Sequence, residues 1–138
     1  MEDKKAVFWL KLSFLVGTIT DALALFPMLF PPLAKIFWGF DKFSGVYYFA
    51  MGYGAALMLA WTMLLVWAIR KPLERRFIAL FTAVVIVGFV VTEVIALVHD
   101  YIQTEKILPT FGLQAILLIL FTYSFLISGK RKSILAES

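Results

Sequence analysis

Residues 77–98 read FIALFTAVVIVGFVVTEVIALV, and this run decides the fold. Its one charged residue is Glu93. A helix needs about 20 predominantly apolar residues to cross a hydrocarbon core about 30 Å thick. In lipid every backbone N–H and C=O must be satisfied by the chain itself, which leaves helices and closed barrels. The run lacks the period-2 alternation of barrel strands, so it is a transmembrane helix.

Working outward, three more runs have the same character: Val7–Phe30, Val46–Ile69 and Ile107–Ile127. The segments between them are chemically distinct. Arg70-Lys71-Pro72-Leu73-Glu74-Arg75-Arg76 is a tight charged turn. Pro27 and then Pro31-Pro32 close the first span, since proline cannot continue a helix cleanly. Leu33–Phe43 carries Lys35, Trp38, Asp41 and Lys42 among apolar residues, which predicts a short helix lying in the membrane interface. His99–Lys106 links the last two spans, with Pro109 near the start of the fourth, where a missing N–H costs little. Gly129-Lys130-Arg131-Lys132 is expected to stop span four. The predicted fold class is all-α: one domain over residues 1–138, a four-helix transmembrane bundle with a short interfacial helix between spans one and two.

Composition agrees. The 138 residues are 62% hydrophobic and 16% charged, against about 25% charged in soluble domains. There is no cysteine, which excludes disulfides, thiolate metal sites and thiol chemistry. A single histidine, His99, excludes a two-histidine metal or haem site within one chain. Neither a metal nor a cofactor is expected.

With the N-terminus inside, Lys4, Lys5, Lys11, Arg70, Lys71, Arg75, Arg76, Lys130, Arg131 and Lys132 lie inside, and Lys35, Lys42 and Lys106 outside. That division of the 13 basic residues predicts cytoplasmic N- and C-termini in the cell membrane. The basic residues flank apolar spans, so they read as topology signals and contacts for anionic headgroups, and no nucleic-acid partner is expected. A cleaved signal peptide ending near Ala22-Leu23-Ala24 competes with this reading. Lys11 and Asp21 interrupt its apolar run, and the apolar character continues past Ala24.

Asp21 and Glu93 are the acidic residues within the spans. A charge at mid-span costs roughly 2.5–3.5 kcal/mol on insertion scales, so such residues tend to face the bundle interior and serve a function. At 1.5 Å rise per residue Asp21 lies about 13 Å below the outer edge, Glu93 about 9 Å, and Gln114 and Tyr53 about 10 Å. Each span therefore offers a polar group to one layer in the outer half, with His99 and Asp100 as its lid. Small or polar residues recur at spacing three or four: Ser13, Gly17, Thr20 or Asp21, and Ala24 on span one, Gly52, Ala56 and Ala60 on span two, Gly88, Thr92 and Ala96 on span three. Such rows let helices approach closely, and these are expected to face the bundle. Beside this stands a plainer reading. Gln114 and Tyr53 are then interhelical hydrogen-bonding glue, and His99 and Asp100 are solvated loop residues.

No catalytic signature is present: no GxSxG, HExxH, phosphate loop or dinucleotide fingerprint. Vitamin K epoxide reductase-like proteins share the span count but need a Cys pair. Small multidrug transporters are similar in size and carry a Glu in span one, where this chain has Asp21 without the surrounding pattern. Two functions fit the residues. One is a binding or transport module whose ligand site (Asp21, Glu93, Tyr53, Gln114, His99, Asp100) takes a small cationic or amphipathic molecule, a lipid or a proton. The other is an accessory subunit of a larger membrane complex, meeting homo- or hetero-oligomeric partners through its small-residue helix faces. A lipid-directed membrane enzyme ranks third.

Overall fold

A computed structural model describes the backbone of residues 2–136 and the side chains of residues 3–129. Among the described residues all regular structure is helical: α1 Glu2–Leu29, α2 Pro31–Trp38, α3 Gly45–Arg70, α4 Phe77–Val98 and α5 Thr104–Ala136. Four of these helices are long and apolar enough to cross a membrane, over Asp3–Leu29, Gly45–Arg70, Phe77–Val98 and Thr104–Gly129. The shortest, α4, has 22 residues, about 33 Å at 1.5 Å per residue, enough for the hydrocarbon core.

Local chemistry explains the boundaries. Pro27 does not end α1; the helix runs through it to Leu29. The break comes at Phe30, whose extended backbone (φ −116°, ψ 102°) suits a residue preceding proline. Pro31 and Pro32 then open α2, where their missing donors are no loss. Gly39 ends α2 with φ 76°, a left-handed conformation that glycine adopts freely, and its N–H donates to the Lys35 carbonyl. Ser44 caps α3, its hydroxyl accepting from the Tyr47 N–H at 3.3 Å.

The tail corrects one expectation. Gly129 does not stop α5, which continues as helix to Ala136. A glycine costs about 1 kcal/mol inside a helix, and Lys and Arg are good helix formers. Charges mark where a span leaves the apolar layer; they do not break the helix that carries it.

The chain packs α1 against α3, α5 against α4, and α1 against α5, while α2 lies on α1 and α5. The buried apolar cluster is Leu10 and Phe14 from α1, Leu65 and Ala68 from α3, Ile78, Ala79, Ala83 and Ile86 from α4, and Leu117 and Phe121 from α5. It sits toward the end of the bundle that holds the N-terminus and the 70–76 turn. Polar bonds reinforce it: Ser13 donates to Ser124 at 2.9 Å, and the Trp61 indole to Thr82 at 3.2 Å. The turn is fixed by Arg75, whose guanidinium lies over the Trp67 ring at 3.3 Å from its centroid and donates to the Trp67 carbonyl.

A second correction concerns helix faces. On α1 the expected row packs inward, with Ser13 and Gly17 buried. On α3, Gly52, Ala56 and Ala60 are exposed, and the buried residues are Ala55, Thr62, Leu65 and Ala68. On α4, Gly88 and Thr92 are exposed and Ala96 half-buried, while Ile78, Ala79, Thr82, Ala83 and Ile86 are buried. Both spans are apolar all round, so no amphipathic stripe marks the inner face. Nothing lies within 4 Å of a Cβ built at Gly52 or Gly88.

Candidate functional site

The half of the bundle away from the N-terminus and the 70–76 turn, outer in the orientation expected from the basic residues, is where the sequence places its polar layer, and the structure brings two of those groups together. Gln114 faces inward from α5 and is 7% exposed. Its Nε2 donates to Oε1 of Glu93 on α4 at 2.8 Å. The two partners' remaining oxygens, Glu93 Oε2 and Gln114 Oε1, are both buried and have no hydrogen-bond partner. A buried acceptor without a donor costs about 1–3 kcal/mol. The pair is therefore joined once and left incomplete on both sides.

Asp21 is half-buried and, among the described residues, makes no hydrogen bond or ion pair; in particular it does not bond Glu93. Its depth follows from register. Ser13 meets Ser124, and Gly17 lies against Phe121. One turn further out, Asp21 falls level with Leu117, three residues short of Gln114 and so about 4.5 Å deeper along the axis.

The other three candidates lie apart from the pair. Tyr53 is 65% exposed, its ring against Phe49 with 4.9 Å between centroids. His99 and Asp100 are exposed at the outer end of α4, with the His99 ring stacked on Tyr101 and Asp100 at φ 56°. None of these three bonds the Glu93–Gln114 pair. Two threonine hydroxyls of this half are engaged within their own helices: Thr20 donates to the Val16 carbonyl and Thr92 to that of Gly88.

Beyond the apolar spans, α2 is held down at the end of the bundle away from the N-terminus. Lys106 donates to the Ile36 carbonyl at 3.2 Å, Gly39 lies beside Gln103, and Lys35 pairs with Asp41 at 3.2 Å. That ion pair is exposed and so contributes little.

Sequence reasoning did not single out two further buried polar groups. Arg76 at the inner end lies between the rings of Phe77 and Phe125, at 5.0 and 5.4 Å from their centroids, with a buried Nη1 that has no partner. The Tyr47 hydroxyl at the outer end is likewise buried without a partner. Their positions depend on which face of each helix packs, and residue type does not report that. No group of three or more His, Cys, Asp or Glu side chains able to hold a metal ion occurs among the described residues. Comparison with family models, with curated proteins and with solved structures finds no match.

Proposed function

We propose that this chain is a small cell-membrane protein, with both termini cytoplasmic, that binds a small cation or a proton between α4 and α5 in the outer half of its bundle. One observation carries the reading. Two buried oxygens, Glu93 Oε2 and Gln114 Oε1, lack donors at a depth where the bilayer supplies none. Such a pair calls for an electropositive occupant. Asp21, about one turn deeper, adds a second acidic group on the inner side and makes an anion an unsuitable ligand.

The test uses the purified protein in mild detergent, with thermal unfolding followed across pH and across NaCl, KCl and tetraphenylphosphonium. A ligand that binds only the folded state adds RT ln(1 + [L]/Kd), about 2.7 kcal/mol at a hundredfold excess over Kd. At least one of these probes should stabilise the parent and leave Glu93→Gln unmoved. Identical responses from the two proteins to every probe would refute the reading.

A second reading, an accessory subunit, is favoured by a different observation. Gly52, Ala56 and Ala60 on α3, with Gly88 and Thr92 on α4, form small-residue surfaces that this chain leaves uncovered. In lipid such surfaces suit close approach by a partner helix. Gly52→Leu and Gly88→Leu should then break up a native assembly while the single chain stays folded. Unchanged assembly size in both variants would exclude it.

A further inference from the structure

The Glu93–Gln114 contact has the composition of half a ring. A carboxyl and a primary amide are both planar, and each has two polar positions. One bond, Gln114 Nε2 to Glu93 Oε1, is made at 2.8 Å. The two positions left over are both acceptors, and both are buried and unpartnered. A proton on Glu93 Oε2 converts that oxygen from acceptor to donor. Turned toward Gln114 Oε1, it closes a second bond antiparallel to the first, and both orphaned atoms are satisfied together. The terminal torsions of Glu and Gln rotate softly, so closure requires no backbone change.

We infer that Glu93 is a proton-binding residue: at neutral pH it carries a proton that closes an acid–amide ring with Gln114. This rests on the reading of the pair as the ligand site and names the occupant. A proton fits better than a metal cation on counting grounds. Hard cations such as Ca²⁺ take about six to eight oxygens in known protein sites. Here two oxygens are free, the nearby Thr92 hydroxyl is engaged with the Gly88 carbonyl, and helix carbonyls are used by the helices. A proton needs only the two.

The charged surroundings do not supply an alternative. On its own helix, Glu93 has His99 and Asp100 beyond the outer end, both exposed. From α5, Glu105 and Lys106 stand at the outer mouth, Lys106 engaged with the Ile36 carbonyl, and Tyr123 lies toward the inner end. From α1, which touches α4 lightly, Asp21 lies in the same half and Lys11 toward the inner end. None of them hydrogen-bonds or ion-pairs with Glu93. Protonation takes one proton from water, RCOO⁻ plus H₃O⁺ giving RCOOH plus H₂O, and removes a charge for which no cation is at hand.

Infrared spectroscopy on the full chain in lipid tests this. The parent at neutral pH should show the carbonyl stretch of a protonated carboxylic acid, sensitive to exchange into D₂O. Glu93→Gln should lose the Glu93 share of that band. This variant keeps two amides face to face, so folding is preserved. Gln114→Leu should move the band without removing it, because the acid survives and its ring partner does not. Asp21→Asn should retain the Glu93 share. A band lost in Glu93→Gln but unmoved in Gln114→Leu overturns the ring. Carboxylate bands for Glu93 that shift with NaCl or KCl and not with pH overturn proton occupancy, while the wider cation-site reading survives. Bands of Glu93 that respond to neither pH nor salt overturn both.

Discussion

Replacing Gly17 by alanine should destabilise the bundle, and replacing Gly52 by alanine should not. A Cβ at Gly17 would stand 2.7 Å from Phe121 Cζ and 3.1 Å from Leu65 Cδ1. Ordinary carbon contacts are about 3.5–4.0 Å, so the overlap is near 1 Å. Phe121 cannot give way easily: it is 0% exposed, as are its neighbours Phe14 and Leu65. Overpacking of this kind costs about 1–3 kcal/mol. Glycine-to-alanine also stabilises a helix interior by about 1 kcal/mol, but that gain is common to both sites and cancels in the comparison. The two variants should therefore differ by about 1–3 kcal/mol, roughly 5- to 150-fold in the unfolding equilibrium. Gly54→Ala should fall between them, because its added Cβ meets only the flexible end of Met28. Reversible unfolding in mixed micelles, followed by helical circular dichroism, measures all three. A smaller ring-site residue, Phe121→Leu, should restore part of the loss in Gly17→Ala. If Gly17→Ala and Gly52→Ala unfold at the same denaturant fraction, the packing of α1 between α3 and α5 is wrong.

Three further outcomes follow, the first from the basic-residue asymmetry of the sequence and the others from the structure. A reporter active only outside the cell should be active when inserted near Phe40 and silent when fused after Ser138; the opposite pattern would turn the Glu93–Gln114 pair toward the cytoplasm. Ser13→Ala and Ser124→Ala should be coupled in a double-mutant cycle by about 0.6 kcal/mol, the usual worth of an interhelical bond in membrane proteins, and strict additivity would mean the 2.9 Å bond does not form in lipid. The same cycle on Glu93→Gln and Gln114→Leu should give clear coupling, whereas Asp21→Asn with Glu93→Gln should give less, since no direct bond joins the carboxylates; the reverse ranking would restore a site shared by the two acids.

How much of this was legible in the sequence depends on the physical origin of each feature. Span number and limits follow from the length of apolar runs; α4 begins and ends at the expected residues, Phe77 and Val98. The short helix after span one follows from Pro31-Pro32 and from a Trp- and Lys-bearing segment. Which face of a span is buried does not follow, because lipid and protein interior are equally apolar. Gly17 packs and Gly52 does not, although each lies in a row of small residues. The same ambiguity governs the candidate site. Depth along the axis placed Tyr53 beside Gln114, but rotation about the axis leaves Tyr53 exposed and Gln114 buried.

Packing and candidate chemistry meet in the outer half of α4. Every buried residue of this helix lies between Ile78 and Ile86, so its last three turns rest on no buried apolar side chain of their own. Among the described residues, the Glu93–Gln114 bond is the side-chain hydrogen bond that ties this segment to another helix. Its inner half, by contrast, is secured by the apolar cluster and by Trp61 donating to Thr82. A charged, singly bonded Glu93 would hold the outer half of α4 weakly and leave two acceptors unsatisfied. A protonated, doubly bonded Glu93 would hold it firmly. On the proposal made above, proton occupancy therefore sets how tightly α4 docks on α5, and the effect should be confined to the turns beyond Ile86. Hydrogen exchange resolved along α4 reads this directly. With each rate divided by its intrinsic, base-catalysed rate, raising the pH should lower protection in residues 87–98 of the parent and leave that of residues 78–86 unchanged, while Glu93→Gln, with a permanently neutral amide pair, should show no such loss. Uniform exchange along α4 at all pH values would separate the protonation of Glu93 from the docking of its helix.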